Sequence, residues 1–115
     1  MSEQQQAVDD VWDEFREAVN MAPRELEDWL ETEESRAVGQ KDGDDESTGH
    51  ASGRRIVQIL RTKKAELTED DAAHMRKVVG YVARHTAQRP DKSDDELEHT
   101  KWTASLKNWG HDPLA

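Results

Sequence analysis

The stretch Thr68-Glu69-Asp70-Asp71-Ala72-Ala73-His74-Met75-Arg76-Lys77-Val78-Val79-Gly80-Tyr81-Val82-Ala83-Arg84-His85-Thr86-Ala87-Gln88-Arg89-Pro90 decides the fold class. Ala72, Met75, Val78, Val79, Val82 and Thr86 recur at the spacing of one helical face, not at the period of two that a strand requires. Thr68 stands where an N-cap belongs, and the three acids after it suit the positive end of the helix dipole. Pro90 disfavours helical geometry at Arg89, so the pattern stops there. The spacing predicts a long helix over about 69–88.

The same period recurs on both sides. Val8, Val11, Trp12, Phe15, Ala18 and Val19 mark an acidic amphipathic helix over 8–19, after a polar, Gln-rich segment 1–7 expected to be disordered. Pro23 suits the first position of a second helix over about 23–32, which buries Leu26, Trp29 and Leu30. Ser52 is a candidate N-cap for a third helix carrying Ile56, Val57, Ile59 and Leu60. A last short helix places Trp102, Ser105, Leu106 and Trp109 on one face, with Gly110 where a left-handed stop belongs. Two segments look like solvated connections, an acidic loop at 33–46 and an acidic linker at 91–99. No useful period-2 segment and no internal repeat is found. The expectation is an all-α fold: one small domain over 8–114 with about five helices.

Composition sets limits around that reading. The chain has 115 residues, 16 basic against 26 acidic, for a formal net charge of −10. Leu, Ile, Val and Phe number 18, a share that with such charge points toward disorder. Helical periodicity and four tryptophans on apolar faces argue the other way. No run approaches the roughly 20 apolar residues of a membrane span. With no cysteine, disulfide scaffolds, thiolate zinc sites and cysteine nucleophiles are excluded. The first residues lack the pattern of a signal peptide, so a cytoplasmic location is expected.

The charge is unevenly laid out. Residues 1–50 carry 16 acids and 4 bases, residues 51–89 carry 4 acids and 9 bases, and residues 90–115 carry 6 acids and 3 bases. A basic centre between acidic ends suits either internal pairing or a polyanionic partner. The acid-rich remainder resembles a halophilic adaptation. At about 1 M salt the Debye length is about 3 Å, so distant acids hardly repel a polyanion.

Within the basic centre, Lys77, Gly80, Arg84 and Gln88 share a stripe opposite the apolar face of their helix. Arg54, Arg55, Arg61, Lys63 and Lys64 lie on the preceding helix and turn, and Arg89 closes the stripe. Cations with an amide suit phosphate contact and base reading. Gly80 costs about 1 kcal/mol relative to alanine in mid-helix and allows a close approach by a helix or a ligand. Against this stands a solvated face that pairs with the acidic first helix. The turn Ser47-Thr48-Gly49-His50-Ala51-Ser52-Gly53-Arg54-Arg55 offers either a helix cap or a phosphate-holding loop, though it lacks the P-loop pattern. Neither the five histidines nor the group Asp94, Asp95, Glu96, Glu98 and His99 has metal-ligand spacing. No metal, cofactor or catalytic residue is expected. Trp102 and Trp109 are read first as a core plug, secured by His111 and Asp112.

The strings Val19-Asn20-Met21-Ala22-Pro23-Arg24-Glu25-Leu26, Ser52-Gly53-Arg54-Arg55-Ile56-Val57, His74-Met75-Arg76-Lys77-Val78-Val79-Gly80-Tyr81-Val82 and Asn108-Trp109-Gly110-His111-Asp112-Pro113 carry a resemblance. Over nearly its whole length the chain resembles a family of small prokaryotic domains of unknown function. The resemblance implies a label often attached to such members, DNA-binding protein. The chain departs from the pattern in Ala22, where a threonine would have capped the second helix. The leading expectation is therefore a non-enzymatic DNA- or RNA-binding protein without a membrane segment. The alternative is an interaction module, or a homodimer, using the region of Trp102 and Trp109.

Overall fold

A computed structural model describes residues 3–38 and 48–115. Among these residues it has seven α-helices and no strand: α1 (Glu3–Ala18), α2 (Pro23–Leu30), α3 (Glu33–Ala37), α4 (Thr48–Leu60), α5 (Glu69–Ala87), α6 (Asp94–Leu97) and α7 (Lys101–Asn108). One 3-10 turn, Lys64–Glu66, leads from α4 towards α5.

The apolar spacing becomes packing. α1 lies along α5, where Val8, Val11 and Phe15 meet Ala72, Met75, Val78 and Val82, all buried. α2 lies along α4, joining Leu26 and Leu30 to Ile56, Val57 and Ile59 in the same core. Burying each large aliphatic side chain contributes about 1.5–3 kcal/mol before entropy is charged against it. α7 touches α2, α3, α4 and α5 and so closes the gap between the two helix pairs. Trp109, just after it, is 4% exposed.

Local signals account for the helix ends. Thr68 caps α5: its hydroxyl accepts from the Asp71 N–H, and the Asp71 carboxylate accepts from the Thr68 N–H. Ala22 offers α2 no acceptor, and only the Glu25 carboxylate returns to the Ala22 N–H at 3.2 Å. Gly110, at φ +80°, is the left-handed stop after α7. His111 Nδ1 then lies 2.7 Å from the Ala18 carbonyl, while Asn20 and Asp112 exchange hydrogen bonds.

Several expectations are corrected. α1 begins at Glu3, so the expected disorder of 1–7 does not hold over its described part. The 33–46 loop contains α3, capped by Thr32, with Ser35 fully buried; residues 39–47 lie outside the described set. The 91–99 linker contains α6, capped reciprocally by Ser93 and Glu96, with Leu97 fully buried. Thr86 is exposed and donates to the Val82 carbonyl instead of facing inward. Ser52 is not a cap. It lies inside α4, buried, 2.9 Å from His74 Nε2.

Gly53 explains why α4 carries glycines that look like turn residues. A β-carbon there would stand 2.5 Å from the Asn108 carbonyl oxygen and 2.7 Å from Leu30 Cδ2. Its bare backbone lets α7 and α2 close on α4. Asn108 completes that junction: its Oδ1 accepts from Trp29 Nε1 and Ser35 Oγ, and its Nδ2 donates to the Ser35 carbonyl.

Candidate nucleic-acid interface

α5 presents its inner face to α1 and one flank to α7, leaving the outer face open. Lys77, Arg84 and Gln88 are exposed there, with Gly80 between them, as the helical spacing predicts. Neither Lys77 nor Arg84 makes an ion pair among the described residues. No acid occurs between Asp71 and Asp91, although 26 of the 115 residues are acidic. Arg76 flanks the stripe on the α1 side, reaching the Ala7 carbonyl at 3.4 Å. Among the described residues no other helix comes within 4 Å of a β-carbon built at Gly80. The one atom near a β-carbon built there is Arg84 Nη1, at 3.2 Å.

The remaining cations do not join this face. Arg55 pairs with Asp71 at 3.2 Å, between α4 and the first turn of α5. Arg61 pairs with Glu27 of α2 at 2.7 Å. Lys64 pairs with Asp9 of α1 at 3.0 Å and covers the Trp12 ring. Arg89, just past the end of α5, turns to Asp94 and lies over Trp102. Arg54 lines a groove between α2 and α4, and Lys63 is exposed in the turn. The single basic surface expected over 51–89 is thus divided among several flanks. The pairs are partly exposed and contribute about 0–1 kcal/mol each, so they orient these cations without adding much stability.

A family model for proteins of unknown function, DUF3140, matches residues 14–107. The chain belongs to this family. No curated protein and no solved structure matches it. The DUF3140 match runs from within α1 into α7, so the whole outer face of α5 lies inside it.

In this DUF3140 chain the flank of α5 towards α7 is aromatic. Tyr81 stacks on Trp109 with ring centres 4.2 Å apart and on His85 at 3.9 Å. Burial raises the Tyr81 phenol above its ordinary value, against a Ser105 hydrogen bond and the Arg84 charge. Burial also lowers the His74 imidazole; Arg55 and Lys77 lower it further, while Ser52 and Asp71 oppose. The Ser52–His74 contact ties α4 to α5 and leaves the hydroxyl out of solvent.

The other sequence candidates are placed as follows. His50 to Arg55 of the possible phosphate loop form helix within α4, and Ser47 lies outside the described residues. Among the described residues no cluster of three or more metal-ligating side chains is found. Likewise, no described helix is long and apolar enough to cross a membrane. Trp109 is inside the fold, and Trp102 is half-buried with its N–H on the His85 carbonyl. The surface expected around these tryptophans therefore reduces to part of one ring. Sequence reasoning missed the groove of about 640 Å³ between α2 and α4, lined by Leu30, Val57, His50 and Arg36 among others. Nothing local signals it, because it arises only where α2 and α4 meet.

Proposed function

We propose that this protein binds nucleic acid, without catalysis, through the outer face of α5. Lys77 and Arg84 contact phosphates, Arg76 supports them from the α1 flank, and Gln88 meets a base edge. One observation carries the reading: beyond the acidic first turn of α5, its open face carries cations with no acid from residue 72 to 90 and no ion pair among the described residues, on a chain of net charge −10. Folding does not account for cations kept clear of the abundant acids. In the same reading the acid-rich remainder keeps the protein soluble in concentrated salt, and the protein works in the cytoplasm.

Phosphate contacts make affinity salt-dependent, and the surrounding acids oppose a polyanion most strongly at low ionic strength. Mobility shifts across a salt series on duplex and single-stranded ligands test the proposal. Binding that is lost in Lys77→Glu with Arg84→Glu, while the far-ultraviolet spectrum is kept, is the expected result. Absence of binding at every salt concentration, or undiminished binding by the double variant, overturns it.

A further inference from the structure

The kind of nucleic acid follows from what the aromatic rings are doing. Proteins that hold single strands do so with open aromatic faces on which bases stack. This chain has four Trp, one Tyr and one Phe, and all six are engaged. Phe15 is fully buried. Trp109 is buried against Tyr81, whose other face carries His85. Trp12 lies under Lys64 at 5.1 Å and Arg16 at 5.8 Å, Trp29 under Lys107 at 4.7 Å, and Trp102 under Arg89 at 5.9 Å. A single strand meets cations here, but no free stacking platform.

The outer face of α5 has the opposite character. Between its long polar side chains stand Ala73, Gly80, Ala83 and Ala87, so the helix backbone is thinly covered. Lys77 and Arg84 are seven residues apart, about 10 Å along the axis, and point away from the domain. The B-form major groove is about 12 Å wide and admits an α-helix, whereas the major groove of A-form RNA is too narrow for one. Gly80 sits midway between the two cations, where a groove floor comes closest. Among the described residues no other element comes within 4 Å of a β-carbon built there.

We infer that the ligand is B-form duplex DNA, entered through its major groove by the outer face of α5, with the backbone at Gly80 at the closest approach. This rests on the nucleic-acid reading above. The test is fluorescence anisotropy with a 20-base-pair DNA duplex, an RNA duplex of the same sequence and one DNA strand, over a salt series. The DNA duplex is expected to bind at least tenfold more tightly than either other ligand. Gly80→Gln, whose β-carbon meets only the mobile end of Arg84, is expected to melt no lower than wild type and to lose at least tenfold in duplex affinity. Arg24→Gln, which removes a charge from α2, is the matched control and keeps wild-type affinity. RNA duplex or single strand bound as tightly as the DNA duplex overturns the inference while leaving the nucleic-acid reading intact. Unchanged duplex affinity in Gly80→Gln overturns the groove geometry. No binding by any of the three ligands overturns both readings together.

Discussion

Two mid-helix glycines of this chain are expected to answer the same substitution in opposite directions. Alanine gains about 1 kcal/mol over glycine in a helix interior, and both Gly53 and Gly80 are interior. At Gly80 the new methyl meets only Arg84 Nη1 at 3.2 Å, the far end of an exposed side chain free to swing aside. Gly80→Ala should therefore stabilise by about 1 kcal/mol, a rise of about 4–8 °C in Tm for a small domain. At Gly53 the methyl meets a backbone carbonyl at 2.5 Å and the buried Leu30 at 2.7 Å. Relief requires α7 or α2 to back away from α4, and overpacking of this kind costs about 1–3 kcal/mol. The shift also strains the Asn108 hydrogen bonds to Trp29 and Ser35, which places the cost at or above the upper end. Net of the helix gain, Gly53→Ala should destabilise by about 2 kcal/mol. Urea denaturation followed by far-ultraviolet circular dichroism separates the two variants by about 3 kcal/mol if their m-values agree. A Gly53→Ala protein within about 0.5 kcal/mol of wild type, or a destabilised Gly80→Ala, would refute the reasoning.

Other consequences follow from single groups. Ala22→Thr supplies the acceptor that the first turn of α2 lacks, and with Glu25 already in place it should stabilise by about 1 kcal/mol, measured by thermal melting. Asn108→Ala strands the Trp29 N–H and the buried Ser35 hydroxyl, so a loss of about 3 kcal/mol in urea is expected, with the Trp29 indole proton shifting in the NMR spectrum. His74 is held below the ordinary imidazole value of about 6.5, so the unfolded chain binds its proton first as pH falls. Its contribution is therefore fully present above about pH 6.5 and declines below it, and His74→Gln should flatten that part of a stability–pH curve.

The long helices were legible because their apolar residues face a core on one side and solvent on the other. Met75, Val78 and Val82 carry that pattern openly, and Thr68 marks its start. α3 and α6 were not legible from hydropathy. Their residues are almost all polar, and α3 is fixed by Ser35 reaching Asn108, 73 residues away. The Ser93-Asp94-Asp95-Glu96 spacing did contain a capping box and could have signalled α6. Ser52 and Gly53 misled for a physical reason. The residue types that favour turns, being small, are also those that let helices touch. At the candidate site the stripe of Lys77, Arg84 and Gln88 followed from helical spacing alone. The partners of Arg55, Arg61, Lys64 and Arg89 did not, since each acid sits on another element or across a connection.

Those four pairs bear on the meaning of the open face. This fold sets an acid against Arg55, Arg61, Lys64 and Arg89, drawing on α5, α2, α1 and α6 in turn. Acids are plentiful enough to do the same for Lys77 and Arg84, yet none occurs between 72 and 90. If the outer cations supported the fold, neutralising them would cost stability; like charges one or two turns apart instead repel weakly. Lys77→Gln with Arg84→Gln should therefore leave stability within about 0.5 kcal/mol of wild type, or raise it slightly at low salt. Urea midpoints at two ionic strengths measure this. A loss above about 1 kcal/mol would mean that the fold does use these charges, and the argument for a ligand would lose its main support.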